Sequence, residues 1–257
     1  TSAAPAAKTK EVTLDDAPVA DPPAEGSAKK PTKNVIRVFN DWVGEAAKEL
    51  KIRLSNVNIK AENAGQKAAM DVSGGGKTKI ELDGQNRLDN SQAQANAGLR
   101  KQGEGTLTIT DETDDRGNKI TATKSGTSGS LTAKGAGGNG AAGIGGSAAE
   151  GTKNITIEGY ATVHATGSGN GAGIGGGFGC DEKSTVRILG GVVDAVGNGC
   201  GSGIGGGEGD AQGAEVEIGG GAQVTAKGGP GSDGYGAGAA IGTNGEKGGK
   251  AGKEQDV

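Results

Sequence analysis

His164 and Asp194 are residue types that could do chemistry together. His164 is the only histidine of the chain, and it lies one repeat length before Asp194. If the repeats stack, both side chains fall on one outward face, where an imidazole and a carboxylate could bind a ligand or move a proton. No Ser or Cys nucleophile is indicated beside them, so we favour an exposed pair between neighbouring repeats.

A polar stretch, 111–129, interrupts the repeats and contains Asp114, Asp115 and Arg116. Insertions in stacked repeats become loops on one face, and such loops often build binding surfaces. We therefore expect these three side chains to contribute to ligand binding.

The segment 228–236 reads GGPGSDGYG and matches one copy of a calcium-binding nonapeptide, with Asp233 and Tyr235 at the defining positions. Sites of that kind need tandem copies, because adjacent turns share the ion. Asp233 is therefore a weak calcium candidate, and the sequence indicates no other cofactor.

Cys180 and Cys200 are the only cysteines, and both are expected in turns at neighbouring levels of a stack. Either a disulfide or two small buried thiols would suit those positions. A disulfide would add about 3 kcal/mol of stability and would indicate an oxidising compartment. Two cysteines with one histidine do not make a zinc site.

These residues must be positioned by a repeated unit. Four phrases, AAGIGGS, GAGIGGG, GSGIGGG and GAGAAIG, place Ile144, Ile174, Ile204 and Ile241 at intervals of 30, 30 and 37 residues. A fixed period in this range indicates units that bury their apolar faces only by stacking on one another. We assign the isoleucines to the core and the glycines to tight corners.

Three ladders of apolar residues can be laid along the repeats, and each turn supplies one residue to each ladder. They are Leu54, Leu82, Ile109, Ile157, Ile188 and Ile218; Ile59, Leu88, Leu131, Val163, Val193 and Val224; and Met70, Leu99, Ile144, Ile174, Ile204 and Ile241. The second ladder alternates with alanines two residues later, as in a strand with one inward face. The pattern predicts an all-β, three-sided parallel β-helix of about six rungs, right-handed because parallel crossovers take that hand.

Composition divides the rest of the chain. Residues 1–33 are rich in Pro, Ala and charge and are predicted to be a disordered linker. Residues 34–52 are predicted to form a capping strand and helix, which would bury Trp42 at the end of the core; a sugar-binding platform is the less favoured role for that residue. Residues 53–245 form the repeat domain, and 246–257 a polar tail.

The overall composition excludes several classes of protein. There are 55 glycines but only six prolines, without the three-residue period of collagen. The formal net charge of −4 argues against nucleic-acid binding, and no apolar run of about 18 residues is available to insert into a membrane.

The stretch from IRLSNVNIKAENAGQKAAMDVSGGGKTKIELDGQNRL through GLRKQGEGTLTI to NITIEGYATVHATGSGNGAGIGGG resembles the glycine-rich GAGIGGG-repeat region of Gram-positive bacterial surface proteins, which are carbohydrate-binding or adhesin-like β-solenoids. The resemblance covers roughly residues 34 to 249 and implies a secreted or cell-wall-attached, extracellular location. It carries over no catalytic motif, and the insertion 111–129 departs from the usual spacing.

Three functions are consistent with these observations. The first is a binding or adhesion module that recognises a polysaccharide, a host glycan or a host protein through its loops. The second is a β-helix polysaccharide lyase or hydrolase, which would need convergent acids or a base in a groove; we assign no catalytic residue. The third is a spacer without a ligand. The oligomeric state is left open.

Overall fold

The computed structural model describes residues 11–15, 30–42, 49–62, 67–92, 94–113, 118–120, 129–138, 140–209, 213–231, 234–245 and 251. Within these ranges no helix is long and apolar enough to cross a membrane, and the regular structure is entirely β. The strands are β1 (Glu11–Asp15), β2 (Ile36–Phe39), β3 (Glu49–Ser55), β4 (Asn58–Glu62), β5 (Met70–Ser73), β6 (Lys77–Asp83), β7 (Gln85–Gln92), β8 (Leu99–Lys101), β9 (Thr106–Thr110), β10 (Ser130–Lys134), β11 (Ile144–Gly145), β12 (Ile155–Ile157), β13 (Thr162–Thr166), β14 (Ile174–Gly175), β15 (Ser184–Ile188), β16 (Val192–Val196), β17 (Ile204–Gly205), β18 (Ala214–Ile218), β19 (Gln223–Lys227) and β20 (Ile241–Gly242).

The strands form three parallel sheets, and the chain visits the sheets in turn as it winds upward. Sheet A has the order β1-β3-β6-β9-β12-β15-β18, sheet B the order β19-β16-β13-β10-β7-β4, and sheet C the order β2-β5-β8-β11-β14-β17-β20. Six or seven strands per sheet correspond to about six turns. The prediction of an all-β parallel solenoid is therefore confirmed.

The third predicted ladder is confirmed in full register. Met70 pairs with Leu99, Leu99 with Ile144, and the later isoleucines follow one another to Ile241. The glycine after each isoleucine has a left-handed φ, 131° at Gly145 and 134° at Gly175, which favours glycine. A Cβ on Gly175 would overlap the carbonyl oxygen of Gly205 above it. Glycine is therefore required at this corner by both conformation and space.

Each of the other two ladders is wrong at a single step, from Leu82 to Ile109 and from Leu88 to Leu131, where the register is shifted by two residues; the steps below and above it are confirmed. Ile109 pairs with Ile80 instead of Leu82, whose partner in the preceding turn is Leu54. In sheet B, Leu88 pairs with Ala133, while Leu131 faces Asn86. A shift of two residues keeps the same side chains inward, because strand side chains alternate with a period of two.

Asn86 is a polar residue in the inward column of sheet B, and it is buried. Its Nδ2 donates to the carbonyl oxygens of Asp83 (3.0 Å) and Ser130 (3.2 Å), and its Oδ1 accepts from the Val57 amide at 3.0 Å. All of these partners are backbone groups at the corner between sheets A and B. The amide thereby replaces an apolar rung residue without leaving a buried group unsatisfied.

The N-terminal region differs from the prediction. The predicted capping strand is present as β2, and Glu49 and Leu50 already belong to β3; residues 43–48 fall outside the described residues, so the capping helix stays a prediction. Trp42 is 42 % exposed, which contradicts its predicted burial at the end of the core, and Phe39 is 74 % exposed. Strand β1 lies inside the predicted linker and pairs in parallel with β3.

The last turn is less well covered than those below it. Val224 and Ile241 are half-buried, whereas Val193 and Ile204, directly below them, are 1 % and 0 % exposed. In the part of the chain that the structure describes, β18, β19 and β20 are each the final strand of their sheet. Among the described residues, the apolar side chains at the C-terminal end of the stack are therefore only partly covered.

Candidate binding site

The insertion after β9 leaves the solenoid as two antiparallel segments. Thr113 forms an antiparallel bridge with Lys119, and the amide of Ile120 donates to the carbonyl oxygen of Glu112 at 2.8 Å. The chain rejoins the stack at Gly129, just before β10. The base of the insertion is therefore an ordered structure attached to the rod.

Arg53 attaches the insertion to the outer face of sheet A. Its guanidinium pairs with both carboxylate oxygens of Asp83, at 2.8 and 2.7 Å, and also donates to Thr113 Oγ1 at 2.6 Å. The side chains of Arg53 and Asp83 are only 13 % and 8 % exposed. Both contacts come from Nη1, and because donor and acceptor are charged and have little solvent around them, this is a strong charge-assisted interaction.

Glu81 holds the same point of the insertion through a second set of bonds. Its Oε1 accepts from the amide of Glu112 at 2.8 Å, and from the amide and hydroxyl of Thr113 at 2.7 and 2.9 Å. Three donors converge on one carboxylate oxygen, which is a strong arrangement because the acceptor is charged. The first residues of the insertion are thus fixed to β6.

Lys79 extends this network along the face. Its Nζ lies 2.9 Å from Glu112 Oε2 and 3.4 Å from Glu158 Oε1. Burial lowers the pKa of Lys79, but the hydrogen bond and charge of Glu112, with Glu158 beyond it, outweigh burial and raise it overall. The lysine therefore stays charged and ties three turns of the stack together.

Asp111 closes the loop at its other end. Its Oδ2 accepts from the amide of Gly129 at 2.6 Å, so one buried carboxyl spans the start and the end of the insertion. Burial raises the pKa of Asp111 to about 6, opposed by the Gly129 amide and reinforced by the nearby charges of Glu81 and Asp83. The base of the insertion thus holds a carboxyl that titrates near neutral pH.

Not all of the predicted binding residues lie in described parts of the chain. Asp114, Asp115 and Arg116 of the insertion, and Asp233 of the calcium-like segment, lie outside the described residues. Tyr235 is half-buried in the loop between β19 and β20. The structure therefore describes the two ends of the insertion, and a role for Asp114, Asp115, Arg116 and Asp233 in ligand binding stays a prediction.

The structure brings His164 and Asp194 together as predicted. They are register partners on adjacent strands of sheet B, with Thr132 before them and Thr225 after them in the same outward row. The Nδ1 of His164 lies 3.6 Å from Asp194 Oδ2, and both side chains are about half exposed. The separation exceeds hydrogen-bond length, so the two groups form a loose surface pair. Arg187 and Glu217 form a closer pair on sheet A, at 2.6 Å.

The two cysteines are buried at different corners of the solenoid. Cys180 lies in the connection from sheet C to sheet A, and Cys200 in the connection from sheet B to sheet C. The structure has both as thiols. The disulfide between them stays a prediction.

Sequence reasoning missed a second charged cluster, on the outer face of sheet C. Arg100 binds both carboxylate oxygens of Glu150, with Nε to Oε2 at 2.8 Å, and its Nη1 lies 3.4 Å from Asp71 Oδ2. Gln102 Nε2 donates to the same glutamate at 2.6 Å. The signal was available, because Asp71 and Arg100 hold adjacent outward positions next to Met70 and Leu99 of the third ladder.

In the described residues no group of three or more His, Cys, Asp or Glu side chains is placed to hold a metal ion. Comparison of the chain with protein-family models, with curated proteins and with solved structures finds no match.

Proposed function

We propose that this solenoid is an extracellular binding module of a bacterial surface protein, which recognises a carbohydrate or host ligand through the insertion that follows β9. We further propose that it is secreted or attached to the cell wall and that it winds with a right hand. The supporting observation is the anchored base of the insertion.

That anchoring requires explanation, because a passive loop needs no such network. Arg53 and Glu81 together make four hydrogen bonds under 3 Å to Glu112 and Thr113 of the insertion, and Arg53 is itself held by Asp83. Asp111 then joins its two ends. Holding a loop in place before it meets a ligand lowers the entropy lost on binding.

The binding proposal is tested with a glycan array and host-protein capture assays. The informative variant replaces Asp114, Asp115 and Arg116 together with serine, which leaves the anchoring residues untouched. We expect the variant to lose at least tenfold in affinity for the ligand that the unaltered protein binds in these assays.

A matched control replaces Asp181, Glu182 and Lys183 with serine. These residues are all exposed and carry the same charges, two acidic and one basic, at another corner. Equal loss in both variants would assign the effect to net charge and overturn the role of the insertion. No retention of any glycan or protein would instead support a spacer, and release of unsaturated products from uronic-acid polymers would support a lyase.

A further inference from the structure

Two neighbouring aromatic side chains lie exposed on the first turn of the solenoid. Phe39 and Trp42 are the exposed large hydrophobic residues of the described chain, at 74 % and 42 %. The whole protein has only five aromatic residues, two Phe, two Tyr and one Trp. Exposed large apolar side chains require an explanation, because burying them would lower the free energy of the folded protein.

This exposure is built into the fold. Between the two aromatics, the buried Asn40 donates from Nδ2 to the Lys77 carbonyl oxygen (2.7 Å) and to Thr78 Oγ1 (3.3 Å), and its Oδ1 accepts from the Trp42 amide at 3.2 Å. Gly76 makes room for it, because a Cβ there would lie 2.5 Å from Asn40 Oδ1. The backbone that carries the aromatics is thus fixed to the next turn.

Charged groups lie beside Phe39 on the outer face of sheet C. Arg37 precedes Phe39 by two residues on β2, so both point outward, about 7 Å apart along the strand. Arg37 is the register partner of Asp71, which in turn pairs with Arg100. The outer face of sheet C thus presents an aromatic surface beside the cluster of Arg37, Asp71, Arg100 and Glu150.

One atom of this cluster lacks a hydrogen bond. Asp71 is 8 % exposed, and its Oδ1 has no hydrogen-bond partner within the described structure. A buried carboxylate oxygen without a donor carries an unrecovered desolvation cost. That oxygen is itself buried, so the hydrogen bonds that this face can offer to a ligand come from the exposed Arg37.

We propose that Phe39, Trp42 and Arg37, with Asp71 beside Arg37 in register, form a binding site for an uncharged glycan. Sugar rings combine an apolar face, which packs on an aromatic ring, with hydroxyl groups that both donate and accept hydrogen bonds. The charges of Arg37, Asp71, Arg100 and Glu150 sum to zero, so the surface offers hydrogen bonds without attracting a polyanion. The site is separate from the insertion after β9.

Trp42 provides its own assay, because it is the sole tryptophan. The full chain is titrated with uncharged gluco-, galacto- and manno-oligosaccharides of six units, and with hexagalacturonate as an anionic probe. We expect a saturable blue shift of tryptophan emission with at least one uncharged probe and none with hexagalacturonate.

Phe39→Ala should weaken that binding at least fivefold, while Trp42→Ala, followed by calorimetry, should abolish it. Phe178→Ala is the matched control, since it removes a half-buried aromatic ring from a later turn. Circular dichroism of each variant checks that the fold is retained. Absence of binding by all uncharged probes, or equal weakening by Phe178→Ala, would overturn the proposal. Replacement of residues 114–116 with serine should leave this binding unchanged, which separates it from the function proposed above.

Discussion

Asp111 is a buried residue whose carboxyl group can still ionise. Because Glu81 pairs with Thr110, the next two residues, Leu82 and Asp111, face each other inward. A carboxyl thus stands where the turn below has a leucine, and it is 2 % exposed. The free energy needed to ionise this carboxyl is raised by burial and by the acidic neighbours Glu81 and Asp83.

The raised pKa of Asp111 predicts a pH dependence of stability. The folded state holds the Asp111 proton up to about pH 6, whereas the unfolded chain loses it near 3.8. This contribution to the free energy of unfolding is therefore full below pH 3.8 and lost as pH rises through 6. Asp111→Asn, which keeps an acceptor for Gly129, should raise the free energy of unfolding at pH 8 by up to about 3 kcal/mol.

Urea unfolding at pH 5, 6, 7 and 8, followed by circular dichroism, measures this effect. The exposed Asp181→Asn serves as the control. A gain for Asp111→Asn that does not increase between pH 5 and 8 would contradict the assignment.

Lys101 is a second buried ionisable residue, at 1 % exposure, on the inward side of β8. Its Nζ donates to the carbonyl oxygens of Gln102 (3.2 Å) and Gly103 (2.7 Å). Burial lowers the pKa of Lys101 to about 8. The folded state therefore gives up this proton before the unfolded chain does, and stability should rise between pH 8 and 10.5.

Lys101→Met should remove this rise. The free energy of unfolding, measured at pH 7.5, 9 and 10, should become flatter in the variant than in the unaltered protein. The exposed Lys227→Met should keep the original slope, and an unchanged slope in Lys101→Met would show that another group causes it.

At the scale of the strands, the sequence reveals which residues face inward better than it reveals their partners. The isoleucine-glycine corners predicted the register of sheet C because both residue types are constrained there. Sheets A and B lack such a marker at Leu82 and Leu88, and a slip of two residues preserves the inward pattern. The base of the insertion was beyond prediction, because Arg53 and Thr113 meet only once the turns have stacked.

The corner glycines can be tested individually. Gly175→Ala should lower the free energy of unfolding by about 3 kcal/mol or more, because the left-handed φ and the overlap with the Gly205 carbonyl both oppose a side chain. Gly219→Ala is the matched control, since a Cβ there meets nothing within 4 Å. Urea denaturation measures the free energy of unfolding of the two variants. Similar losses in both would contradict the role of the corner.

Across the whole molecule, packing weakens from the middle turns toward the C-terminal end. Val193 and Val224 are register partners with the same side chain, but only Val193 has a turn on both sides among the described residues. In a stack, stability is approximately a sum of turn and neighbour contributions. A substitution in a terminal turn should therefore cost less.

Val193→Lys should lower the free energy of unfolding by about 3 kcal/mol or more, and Val224→Lys by about 1 kcal/mol or less. Thermal unfolding followed by circular dichroism compares the two variants directly. Equal losses would mean that the end of the stack is covered as well as its centre.

The matched corners at Ile174 and Ile204 make the molecule modular in length. Removing residues 175–204 would join Ile174 to Gly205 and recreate the same dipeptide. It would also bring Val163 to Val224 and Ile157 to Ile218, pairs of the same kind as those already present. Such a chain would be shorter by one pitch of the coil, about 4.8 Å, and unchanged in cross-section. Gain or loss of whole turns by gene duplication or deletion would thus be structurally neutral here, and the reach of the rod could evolve independently of its surface sites.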